Sequence, residues 1–196
     1  MFQVRIHGRG GQGVVTAAEI LSVAAFDEGR QAQAFPSFGS ERTGAPVVSY
    51  CRIDDKEIRT REPVMVPDAI IIQDATLINQ LDLFSGLSPV GFVLINTSRT
   101  FDELGLSDLF TRFPREHLMT CPATEIALEH LGRPLPNAAL LGAFAALTSE
   151  ITLSAVQIAI RDHFAGAVGE RNAEAAAASF DVIMRFKEEF ARAATN

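Results

Sequence analysis

The stretch HGRGGQGVV, residues 7–15, separates two different periodicities, and its reading decides the fold. Before it, Phe2, Val4 and Ile6 alternate with Gln3, Arg5 and His7, the period-two pattern of a strand with one apolar face. After it, Val15, Ala18, Leu21 and Ala25 recur at helical spacing, and Gly29 stands where a helix should stop. The quoted residues are therefore a strand-to-helix turn. Within them Gly8-Arg9-Gly10-Gly11-Gln12-Gly13 matches G-x-G-x-x-G in the context that motif requires. Glycines let the backbone turn tightly and approach a ligand, while unpaired amides at the positive end of the helix dipole attract an anion. A phosphate is the natural guest.

Its chemistry is less closely specified. A nicotinamide or flavin dinucleotide also requires an acidic residue at the end of the second strand, to hold the ribose diol. The strand expected at Gln31 to Phe35 has none and runs into Pro36; Asp27 and Glu28 precede it, at the end of the first helix. A P-loop is excluded, because the only lysines, Lys56 and Lys187, are far from any glycine loop. A purely structural role, in which the glycines pack helix against strand, stays open beside the phosphate reading.

The rest of the chain alternates. Val47 to Ile53 reads as a strand, the Asp54-Asp55 turn suggests a hairpin return at Lys56 to Thr60, and Ala69 to Ile72 and Phe92 to Ile95 are short apolar runs of buried parallel strands. Leu118 to Cys121 is a weaker fifth candidate. Helices are expected at Ala75 to Leu83 and Thr124 to Leu131, then at Ala138 to Leu147, Leu153 to Phe164 and Asn172 to about Ala193. The fold class is α/β: a mainly parallel sheet with a hairpin insertion and a helical C-terminal part, in one domain over residues 1–196. Asn137 and Thr124 stand where helix caps belong. Asp74 and Thr97-Ser98 follow buried strands, where α/β ligand sites usually lie.

Composition excludes several functions. A net charge of -7 without a cationic run argues against nucleic acid. Cys51 and Cys121 are too few for an iron-sulfur cluster or a structural zinc, and His7, His117, His130 and His163 lack ligand spacing, so no metal site and no catalytic triad is expected. With neither a signal-peptide pattern nor a membrane-length apolar run, the expected location is cytoplasmic.

Four segments in order, HGRGGQGVV followed by TAAEIL, FPSFGSERTGAPVV, PATEIA and PNAALLGAF, make the chain similar to the gamma subunit of 2-oxoacid:acceptor oxidoreductases of the pyruvate:ferredoxin type. The resemblance spans all but about the last fifty residues. It implies a Rossmann-like domain assembled with alpha, beta and ferredoxin-like delta subunits that carry thiamine diphosphate and iron-sulfur clusters. Such a complex oxidatively decarboxylates a 2-oxoacid, pyruvate or an aromatic one such as phenylglyoxylate, to an acyl-coenzyme A. Its two electrons pass to ferredoxin, or to NAD through a further subunit. This chain is not expected to be active alone. By the resemblance, coenzyme A is the co-substrate it would help to bind, through Gly8, Arg9, Gly10, Gly11, Gln12 and Gly13. The resemblance likewise implies that Glu41, Arg42, Thr43 and Gly44 form an interface or substrate loop. Two alternatives stand beside this reading: a free-standing dinucleotide-binding oxidoreductase, and an interaction module that binds no small molecule.

Overall fold

Strand, glycine turn and helix open the chain in the computed structural model, which describes residues 1–37 and 43–193. The elements are β1 (Phe2–Arg9), α1 (Val14–Asp27), β2 (Gln31–Pro36), β3 (Pro46–Asp54), β4 (Ala69–Ile72), β5 (Phe92–Asn96), α2 (Leu109–Arg112), β6 (Leu118–Cys121), α3 (Ala123–Leu131), α4 (Asn137–Thr148), α5 (Leu153–His163) and α6 (Gly166–Ala193). Short 3-10 turns add Ala75–Asn79 and Arg115–His117.

The six strands form one sheet in the order β2-β3-β1-β4-β5-β6. β1, β4, β5 and β6 run parallel, while β3 lies antiparallel between β1 and β2. The mainly parallel α/β sheet with a hairpin and a helical C-terminal part is thus present, but the hairpin is β2–β3. No strand forms at Lys56 to Thr60, because both edges of β3 are already occupied. The helix expected at Ala75 to Leu83 shortens to a single 3-10 turn, which Asp74 caps through Thr76. Leu77 within that turn and Leu83 beyond it are buried in an irregular cover over one sheet face.

That cover distinguishes the two faces. Ile70, Ile72, Val93 and Ile95 pack under the irregular segments between β4 and β6, with Leu87, Phe101, Leu109 and Phe113. The opposite side chains, among them Val4, Ile6, Ala69, Ile71 and Leu94, pack against α1, α4, α5 and α6. Alternation along each strand sends successive residues to opposite layers, as the period-two pattern requires. α4 is buried along nearly its whole length, from Asn137 to Leu147, so its sequence is apolar all round rather than striped. α6 starts at Gly166, six residues before the expected boundary. No helix among the described residues is long and apolar enough to cross a membrane.

One contact sets the spacing of the helical layer: a Cβ added to Gly142 of α4 would lie 1.9 Å from the Ala176 carbonyl oxygen of α6. Gly142→Ala would force the two helices apart. We expect a loss of about 1–3 kcal/mol, read as a fall of several degrees in the thermal unfolding midpoint; an unchanged midpoint would mean that the close approach is unimportant.

Candidate functional site

β1 delivers the glycine turn to the sheet's C-terminal edge beside the end of β4, where the chain's course from β1 switches between the two halves of the sheet. That is where open α/β sheets bind ligands. Gly11 and Gly13 have φ of 92° and 72°, left-handed conformations in which a side chain is strained. Gly13 is the N-cap of α1 and supplies no side-chain cap, so the first amides of the helix have no intrahelical acceptor. A Cβ on Gly11 would meet nothing within 4 Å, which leaves this backbone open.

The other predicted turn residues are engaged within the protein. Gly8 is a packing glycine: a Cβ there would sit 2.6 Å from Val14 Cγ2 and 3.2 Å from Gln73 Cβ. Gln12 Oε1 accepts from the Arg9 amide (2.7 Å), and Gln12 Nε2 donates to Asp74 Oδ2 (2.9 Å). Arg9 Nε donates to the same carboxylate oxygen (3.1 Å), and its Nη2 donates to Thr76 Oγ1 (2.8 Å). Burial opposes ionisation of Asp74, but hydrogen bonds from Thr76 and Gln12 and the charge of Arg9 outweigh it and hold its carboxyl below the usual value. Arg9 is therefore neither a free cation for a ligand nor a simple solvated side chain. It belongs to a clasp that fixes the turn to the end of β4.

The second loop reaches the same place. Gly10 donates its amide to the Ala45 carbonyl (2.9 Å) and accepts from the Gly44 amide (3.0 Å), Thr43 bridges to Gly10, and Arg9 Nη1 donates to the Gly44 carbonyl (3.1 Å). Glu41 and Arg42 lie outside the described residues. The third and fourth segments close in from the helical layer. The Asn96 amide group donates to the Gln73 carbonyl and the Thr124 hydroxyl, both at 2.8 Å. Thr124 is therefore not the helix cap, which is Pro122. Asn137 is not a cap either. The N-cap of α4 is Pro136, and the Asn137 side-chain nitrogen sits 2.6 Å from where a Cβ of Gly13 would be.

Two clefts flank the turn. The larger, about 480 Å³, has Gly11, Gly13, Thr16, Asn137, Arg133 and Arg171 in its wall. The smaller, about 250 Å³, lies between the turn and Val47 of β3. Neither arginine was singled out in the sequence, because a cation just past the α3 end and another inside α6 carry no motif. Only Gly132-Arg133-Pro134, a helix stop carrying a charge, offered a signal. Burial pushes the Cys51 thiol up to about 12 and Cys121 to about 11, so both stay protonated. Among the described residues no cluster of three His, Cys, Asp or Glu side chains could hold a metal ion.

A family model described as pyruvate ferredoxin/flavodoxin oxidoreductase matches residues 3–182. Pyruvate synthase subunit PorC of Methanothermobacter marburgensis is 45% identical over 181 residues, 92% of this chain and 97% of that protein. The pyruvate/ketoisovalerate oxidoreductases common subunit gamma of Pyrococcus abyssi is 44% identical, covering 95% of this chain and 100% of that one. Pyruvate oxidoreductase subunit PORC of Thermotoga maritima superposes with a TM-score of 0.77 at 32% identity, over 92% of this chain and 95% of that structure.

Asp74→Ala removes the acceptor shared by Arg9 and Gln12. It should cost about 1–3 kcal/mol at neutral pH, measured by denaturant unfolding. Because the folded carboxyl titrates below its ordinary value, that contribution is complete above about pH 4 and shrinks as the pH falls further. A gap that widened on acidification would contradict the clasp. His7 behaves separately: burial, then the charge of Arg5, lowers its imidazole to about 3, and its Nε2 is buried without a partner among the described residues. The unfolded chain therefore takes up the proton first. Stability should decline as the pH drops below about 6.5, by up to about 1.4 kcal/mol per unit, and the slope should flatten in His7→Gln.

Proposed function

The chain belongs to the pyruvate ferredoxin/flavodoxin oxidoreductase family, as the gamma-type subunit of a multi-subunit 2-oxoacid oxidoreductase, and on that premise we propose that its glycine turn binds coenzyme A for the acyl-transfer step. The carrying observation is the open backbone at Gly11, beside the uncapped start of α1 at Gly13. Backbone donors and the positive dipole end suit the diphosphate of the coenzyme. Gly10 and the Thr43-Gly44 loop set the outer lip of that site, while Arg9 and Gln12 hold its shape through Asp74. The adjoining part of the loop, with Glu41 and Arg42, is assigned to the neighbouring catalytic subunit.

Thiamine diphosphate and iron-sulfur clusters are assigned to the alpha, beta and delta partners. The two buried, protonated cysteines of this chain are poor cluster ligands, which supports that division. The 2-oxoacid pocket is assigned to the same partners, with pyruvate the preferred substrate and an aromatic 2-oxoacid such as phenylglyoxylate the alternative. The Pyrococcus abyssi relative is named as common to pyruvate and ketoisovalerate oxidoreductases, as suits a subunit that does not select the acid. Electrons leave to ferredoxin, or to NAD through an added subunit, and the assembly is placed in the cytoplasm. The free-standing dinucleotide enzyme is disfavoured because β2, Gln31–Pro36, ends without an acid for a ribose diol.

The test uses the complex purified with its partner subunits. Gly11→Asp puts a carboxylate beside the diphosphate, whereas Gly11→Asn has similar size, tolerates the same backbone and lacks the charge. Gly11→Asp should raise the KM for coenzyme A about tenfold or more, with the 2-oxoacid KM unchanged, and Gly11→Asn should do much less. An unaltered KM for coenzyme A in Gly11→Asp would remove the turn from coenzyme binding.

A further inference from the structure

The larger cleft beside the turn carries an unusual charge balance. The chain has a net charge of -7, yet the wall of this cleft contains two arginines and no carboxylate. Other arginines are committed: Arg9 to Asp74, Arg30 to Glu150 and Arg161 to Glu170. Arg133 and Arg171 are exposed, and their side chains make no ion pair or hydrogen bond among the described residues. Two unpaired cations around a concave wall are a place for an anion.

A second observation comes from between them. Asn137 is only 6% exposed, lines the cleft, and its side chain makes no hydrogen bond among the described residues. Its amide atoms are not among the sealed, unpartnered ones, so they reach the cleft and offer it both donors and an acceptor. It stands at the first residue of α4, whose N-cap Pro136 provides no side-chain cap. Thr16 adds a hydroxyl to the α1 side of the wall, and Leu135, Phe164 and Val168 add apolar surface.

We propose that this cleft is a second anion subsite, taking a phosphomonoester on the nucleoside end of the ligand whose diphosphate lies on the glycine turn. The proposal rests on the reading of the turn as the coenzyme A site. Arg133 and Arg171 are then specificity-determining residues that select the 3'-phosphorylated coenzyme over its dephosphorylated form, and Asn137 donates to the same group. The apolar wall receives the base. Gly11 and Gly13 border both clefts, so the rest of the ligand leaves across the turn toward the smaller cleft and the Thr43-Gly44 loop.

The experiment compares coenzyme A with dephospho-coenzyme A as acyl acceptor for the assembled complex. The wild type should favour coenzyme A by about tenfold or more in kcat/KM. In the double variant R133Q/R171Q, both exposed positions, the KM for coenzyme A should rise by a similar factor. The KM for dephospho-coenzyme A and kcat should stay within about twofold, so the preference disappears. A wild type without preference, a double variant that keeps it, or an equal loss for both acceptors would each overturn the subsite. Gly11→Asp separates the two levels, because both acceptors carry the diphosphate. If Gly11→Asp weakens both acceptors and the arginine changes weaken neither, only the second subsite fails. If Gly11→Asp affects neither acceptor, the reading of the turn itself fails.

Discussion

One carboxylate holds the glycine-turn end of this domain in shape. Asp74, just beyond β4, accepts from the side chains of Gln12 and Arg9 through a single oxygen, while its other oxygen accepts from the amide and hydroxyl of Thr76. The glycines of the turn have little conformational preference of their own, and glycine loses more backbone freedom on ordering than any other residue. A flexible turn becomes a defined surface because side chains at its second and fifth positions are pinned to the neighbouring strand. The geometry at Gly11 and Gly13 therefore depends on a group more than sixty residues away in sequence.

The antiparallel insertion of β3 has a related effect. β3 lies between β1 and β2, so the connection preceding it must return to the C-terminal end of β1, next to the turn. The contacts among Gly10, Gly44 and Ala45 follow from that topology. On the other side, α3 and α4 begin after β6 and bring Thr124 and Asn137 to the same edge. Four segments scattered from residue 7 to residue 144 thus meet around a few backbone amides, although they pair with different elements.

Much of this architecture is legible in the sequence. The alternation in Phe2 to Ile6 and the buried runs at Ala69 to Ile72 and Phe92 to Ile95 gave strands at their observed places, because burial on one or both faces leaves a direct imprint on side-chain type. Lys56 to Thr60 misled because an Asp-Asp turn signals a reversal locally, whereas strand pairing depends on whether an edge is free. Ala75 to Leu83 misled because its apolar residues fit a helix equally well, yet an irregular cover satisfies the same sheet face. At the site, the glycine pattern was readable, but the roles of Arg9 and Gln12 were not: their partner, Asp74, is distant in sequence. Asn137 looked like a cap because amide side chains often are, and only the approach of α4 to Gly13 shows otherwise. Arg171 carried no pattern, and Arg133 only the helix stop around it, since what distinguishes the two is the lack of an ion-pair partner among the described residues.

The clasp also bears on how the turn meets a ligand in time. Arg9 is matched by Asp74, so the turn has no net charge of its own, and its attraction for anions comes from oriented backbone dipoles. A dipole's field fades faster with distance than that of an unbalanced charge, and diffusional steering relies on the latter. On the proposed reading, the turn therefore lengthens the residence of an anion already in contact with it, without quickening the anion's arrival.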